Sequence, residues 1–137
     1  MVHALKQAWR VLTPRGTMVD VRPLSVDVPL EVVHGRICEA IGMVDLSPDL
    51  KFDLSADKAI ELVVREQMFS LVSMETFNYV YIWKTFHGMV VDFAERWEGE
   101  INVPDEVLEK ARQLYRQHWP TARLRLPMQM KLGVYRK

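Results

Sequence analysis

Residues 122–134 alternate almost without a break. Leu124, Leu126, Met128, Met130, Leu132 and Val134 point one way, and Arg123, Arg125, Pro127, Gln129 and Lys131 point the other. A period of two over this length specifies a long strand with one buried face. Pro127 has no amide to donate, so it marks an edge or a bulge. A strand this long requires partners. The other firm strand is 76–83, Thr-Phe-Asn-Tyr-Val-Tyr-Ile-Trp, dense in aromatic and β-branched residues. Its faces are Phe77/Tyr79/Tyr81/Trp83 and Val80/Ile82. A third strand, 17–22, sets Val19 and Val21 against Met18, Asp20 and Arg22; it reads as a buried strand closed by Pro23.

Helical spacing fills much of the rest. Leu5, Ala8, Trp9 and Leu12 share one face of a helix over 3–12. Pro14 and Gly16 end it, the glycine supplying the left-handed turn. Ser55 is the expected N-cap of a helix at 56–67 with the stripe Ala59, Ile60, Val63 and Val64, and Asp57 suits its positive end. Two further helices are expected at 86–98 and 104–118, the second opened by Pro104, Asp105 and Glu106. Residues 30–46 hold two apolar pieces that read as short strands or an irregular ribbon. The expectation is a single α+β domain over 1–137, with mixed or antiparallel strands.

Composition narrows the function classes. With 137 residues, 49% apolar and 26% charged, the chain is of ordinary globular make-up. Its net charge of zero argues against a protein that coats nucleic acid or anionic membrane. No apolar run approaches the ~20 residues of a membrane span. Cys38 is the lone cysteine and has no internal partner, so the expected compartment is the cytoplasm. Charge is segregated. Residues 92–109 carry Asp92, Glu95, Glu98, Glu100, Asp105, Glu106 and Glu109 against Arg96, whereas 110–137 carry eight Lys and Arg and no acid. Solvated faces that pair with each other or with a second subunit are the plain reading. A basic surface for RNA is the sharper one, and the acidic block beside it weakens it.

The stretch Arg10-Val11-Leu12-Thr13-Pro14-Arg15-Gly16, followed by a strand, resembles a segment in the second half of class I S-adenosylmethionine-dependent methyltransferases. There a helix ends in an Arg-Val-Leu-x-Pro-Gly-Gly turn and the fifth sheet strand follows. Arg15 stands where the family has its first glycine. The resemblance implies the C-terminal half of a Rossmann-like sheet: 17–22 as the fifth strand, and 76–83 and 122–134 as the final antiparallel pair with the last strand beside the fifth. That family holds its cofactor on a glycine-rich turn well upstream of this segment. No G-x-G-x-G occurs in this chain, so it is expected to lack the cofactor-binding half and to bind no cofactor alone, S-adenosylmethionine entering only if a partner chain supplies that half. By the same resemblance the loop after the fifth strand meets the methyl acceptor. Ligands of open α/β sheets also bind beyond the carboxyl ends of strands, where Asp20, Arg22 and Trp83 lie. The candidate substrate-binding residues are Asp20, Arg22, His34, Tyr81 and Trp83, with Arg22 holding an anionic group and His34 acting as a base. Against these stand the plainer readings of Arg22 as an ion-pair residue and of the aromatic stripe as core or subunit interface.

Other chemistry leaves less trace. His3, His34, His87 and His118 are dispersed, with no His-x-x-x-His pair, so no metal site is expected. There is no G-x-S-x-G and no phosphate loop, and Cys38 lies in an apolar stretch where a thiol is usually inert. A fifth strand without its fourth leaves an open ladder edge and an uncovered apolar face. The expected remedy is a homodimer through that edge and the aromatic face. The alternatives to a methyltransferase-like module without autonomous catalysis are a small homo-oligomeric α+β binding protein with an aromatic pocket, or an enzyme with residual activity.

Overall fold

The computed structural model describes all residues from Met1 to Lys137. The fold is α+β, with an open, antiparallel five-stranded sheet and four helices: α1 (Val2–Val11), β1 (Thr17–Pro23), β2 (Val28–His34), β3 (Ile37–Val44), α2 (Leu50–Arg65), β4 (Ser70–Trp83), α3 (Phe86–Glu95), α4 (Asp105–Gln117) and β5 (Arg123–Arg136). The strand path is β1-β5-β2-β3, and β4 also pairs with β5. β5 therefore has β1 and β4 among its neighbours, and β1 ends the path with one edge unpaired. No helix is long and apolar enough to cross a membrane.

The chain divides into two compact units. The first comprises Met1–Leu24, Leu50–Phe77 and Gln129–Lys137; the second comprises Ser25–Asp49 and Asn78–Met128.

In the first unit, Ile60, Val63, Phe69 and Tyr135 form the core, with Val2, Leu5, Leu12, Met18, Val64 and Met68 packed on it. β1 runs antiparallel to β5, Val19 opposite Val134 and Val21 opposite Leu132. β1, expected as a buried strand, is covered on one side only: Met18, Asp20 and Arg22 lie on the covered side, while Val19 is 55% and Val21 47% exposed. The reason is α2. It carries the acids that hold Arg22, so the polar face of β1 turns toward the helix.

The start of α2 is also corrected. It begins at Leu50, after a 3-10 turn at Ser47–Asp49, so Ser55 is no N-cap; it sits inside the helix and its hydroxyl donates to Lys51 O at 2.8 Å. The Ser47-Pro48-Asp49 turn leads straight into the helix because proline fits a first turn and Asp45 accepts from Ser47 N–H at 2.8 Å. α2 ends where Gln67 takes a φ of 58°, with Met68 N–H bonding Val63 O and Gln67 N–H bonding Val64 O in a Schellman arrangement. The left-handed residue after α1 is Arg15, at φ 65°, and not Gly16. Gly16 is needed for closeness instead: a Cβ there would lie 2.8 Å from Thr13 O.

In the second unit, residues 30–46 resolve into a hairpin. β2 and β3 pair antiparallel, with a register shift between Leu30 and Glu31, and Gly35 takes the positive φ of 59° in the two-residue connection. α4 packs so closely on β3 that a Cβ on Gly42 would stand 2.5 Å from Val107 Cγ2. Leu30, Val32, Val44, Met89, Ala111, Leu124 and Leu126 are fully buried. The single buried face expected along residues 122–134 is corrected too. Leu124, Leu126 and Met128 are buried, but nearer the C-terminus Gly133 and Tyr135 are buried while Leu132 and Val134 are half-exposed.

Candidate functional site

Asp20 and Arg22 belong to the first unit. Arg22 lies near the end of β1 with its side chain only 17% exposed. Its Nε donates to both Asp20 oxygens at 3.1 and 3.0 Å, one terminal nitrogen donates to Asp53 O at 3.2 Å, and the other lies 2.6 Å from Asp57 Oδ1. Lys131, opposite Arg22 in the β1–β5 register, donates to the same Asp57 oxygen at 2.8 Å. This two-cation, three-carboxylate network ties β1 and β5 to α2.

The network makes a pH prediction. Burial by itself would raise the Asp57 pKa, but hydrogen bonds from Lys131 and Arg22 outweigh it and hold the carboxyl below its ordinary value of 3.8. A depressed folded-state pKa lends stability above the unfolded value, and that stability is lost as pH falls through the folded one. Stability should be level near neutrality and fall below about pH 4. Asp57→Asn should flatten the fall. Denaturation midpoints at pH 7 and pH 3 measure it, and an equal loss in wild type and variant counts against the assignment.

Tyr81 and Trp83 lie together in the second unit, inside an aromatic cluster. The Tyr81 and Trp83 rings stack with centroids 6.0 Å apart, and Trp97 meets Tyr81 edge-on at 4.8 Å. Phe93 meets Trp83 edge-on at 5.4 Å. Trp83 is buried, and its indole N–H donates to Asp92 Oδ2 at 2.7 Å, so both its apolar body and its polar handle are engaged. Burial raises the Tyr81 pKa, keeping the phenol protonated. Tyr79, 46% exposed, meets Tyr81 edge-on at 4.9 Å and carries the cluster to the surface. An open cleft of about 370 Å³ lies elsewhere in this unit, lined by Phe86, His87, Val90, Arg112, Tyr115 and Arg116.

His34, also in the second unit, ends β2 and is joined by two residues that local spacing did not mark. Its Nε2 lies 2.7 Å from Glu39 Oε1, and its ring stacks on that of His118 with centroids 3.6 Å apart and planes 7° from parallel. His34 and His118 are distant in the chain, so no motif announces the pairing. Cys38, in the apolar stretch next to Glu39, is exposed; what burial it has, together with Glu31, raises its pKa.

No family model matches the chain, and no curated protein or solved structure proves similar to it.

Proposed function

We infer that this chain is a non-catalytic interaction module, built like the acceptor-side half of a class I methyltransferase sheet, that works as a homodimer. The observation that carries the reading is the exposure of Val19 and Val21, at 55% and 47%, on a strand with an open edge. Apolar β-branched side chains beside an unpaired ladder are what a second chain covers. Leu132 and Val134, opposite them in register, extend the same apolar face. Two features support the ancestry. β5 pairs with both β1 and β4, the neighbour relation expected for the fifth, seventh and sixth strands of that family. Arg15, standing in place of the family's glycine, keeps the positive φ that favours glycine.

The reading requires no reactive group, in keeping with an Arg22 held by carboxylates and a Trp83 held by Asp92. Sedimentation at micromolar concentration should give twice 16.0 kDa, and the double change Val19→Asp, Val21→Asp should return a folded monomer. Calorimetric titration with S-adenosylmethionine should release no heat. A wild-type monomer, or cofactor binding by the lone chain, overturns the proposal.

The cleft lined by Phe86, Tyr115, Arg112 and Arg116 favours a second reading, a binding protein for a small anionic aromatic molecule. Two guanidinium groups one helical turn apart on α4, beside apolar rings, are the chemistry such a ligand would meet.

A further inference from the structure

We propose that His34, Glu39 and His118 form a zinc-class metal site, independent of the dimer reading. One ligand atom from each residue lies within 4.8 Å of the others. Three separate elements deliver them. His34 is the last residue of β2. The tight connection through Gly35 and Arg36 brings β3 back so that Ile37 opposes His34 and Glu39 opposes Val32. Alternation then puts His34 and Glu39 on the face that Val32 shares, and Val32 is fully buried. This face is buried at Val32 and opens toward solvent at the pair: the His34 side chain is 12% exposed and that of Glu39 45%.

His118 comes from the C-terminal cap of α4, and its backbone is firmly held. Its N–H donates to Leu114 O at 3.2 Å. Its carbonyl accepts from Thr121 N–H at 3.1 Å, Ala122 N–H at 3.0 Å and the Thr121 hydroxyl at 3.1 Å. Two strands and a braced helix cap fix the backbones that carry the ligands, so only side-chain torsions need to adjust when an ion arrives.

The donor set selects the metal. Two imidazoles and one carboxylate suit zinc, with a fourth position left for water, whereas magnesium and calcium prefer all-oxygen shells. Bonds of about 2.0–2.2 Å in a tetrahedron set ligand atoms about 3.3 Å apart. The 2.7 Å contact between His34 and Glu39 would open slightly to admit the ion, and the wider spacings would close. Parallel imidazoles cannot aim their in-plane lone pairs at one point. One ring must therefore turn about its χ2, a broad torsion for histidine. Zinc binding thus exchanges a stacked pair and one hydrogen bond for three metal bonds.

Metal-stripped full-length protein titrated with zinc chloride tests the site. The expected result is one zinc per chain, with cobalt substitution giving the visible bands of a four-coordinate nitrogen–oxygen site. His118→Ala and Glu39→Gln should each weaken binding by about 100-fold or more, since even outer-shell changes cost 10–100-fold. His3→Ala with His87→Ala should leave it unchanged. Should His118→Ala fail to fold, Glu39→Gln decides, because Glu39 is an exposed side chain. No binding at millimolar zinc, or binding that survives Glu39→Gln, overturns the proposal. Sedimentation of the zinc-loaded and stripped protein separates this outcome from the dimer reading.

Discussion

Replacing Arg22 with methionine should lower the folding stability of the protein by about 3 kcal/mol, near the lower end of the 3–5 kcal/mol seen when one partner of a buried ion pair is removed. The lower end applies because Arg22 keeps 17% of its side chain in contact with water. The mechanism is the charge left behind. With Arg22 gone, Asp20 loses the bidentate contact at 3.0–3.1 Å, and Asp57 keeps only Lys131 among the two cations that bond it. Methionine fills much of the volume, so the loss reports electrostatics and hydrogen bonding more than packing. Lys131→Met should cost less, about 1 kcal/mol, because Lys131 makes one bond where Arg22 makes several. Urea denaturation of both variants measures the difference. Midpoints equal to that of the wild type would mean that the network adds nothing to stability beyond what solvation of its members would restore.

That network also explains where the sequence misleads. Periodicity separates the two sides of β1 correctly, but it does not say which side is covered. A general preference for burying valine would choose Val19 and Val21. The covered side is instead decided by residues 30 and more positions away, the Asp53 and Asp57 that meet Arg22. The same holds for β5. Its alternation is strict, so the strand is legible from pattern alone, yet its buried residues are Leu124, Leu126 and Met128 at one end and Gly133 and Tyr135 at the other. Gly133 leaves room there for the Tyr135 ring: a Cβ on it would lie 2.6 Å from Tyr135 Cε2. A glycine in an apolar alternation marks this point, and an aromatic ring laid over a strand glycine is the physical reason.

The four helices were legible because each carries a stripe at helical spacing, and their errors sit at the ends. The 3-10 turn before α2 hid in a Ser-Pro-Asp segment that reads equally well as a loop. The candidate site was less legible. Trp83 and Tyr81 were visible as an aromatic strand, but their partners Phe93 and Trp97 come from beyond a turn. The stacking of His34 on His118 was invisible, because neither residue sits in a local pattern and only the packing of α4 against the β2–β3 hairpin brings them together.

Leu30→Ala should be the most damaging single change in the second unit, lowering stability by about 3–4 kcal/mol within the 2–5 kcal/mol range for buried leucine truncations. Leu30 is fully buried on β2 and lies opposite Gly42, where a Cβ would stand 2.5 Å from Val107 Cγ2 of α4. A site that close-packed cannot collapse easily around a lost isobutyl group, so most of the cavity persists and the cost approaches the upper part of the range. A control on α2 calibrates the number: Leu54 is 50% exposed, and Leu54→Ala should cost below about 1 kcal/mol. The two leucines differ in burial and not in chemistry, so the ratio of their effects tests the packing directly. The hairpin carries His34 and Glu39 as well. A partly loosened Leu30→Ala protein should therefore lose affinity for zinc along with stability, whereas Leu54→Ala should change neither appreciably. If Leu30→Ala proves as mild as Leu54→Ala, the close approach of α4 to the β2–β3 hairpin is not the packing that holds this unit together.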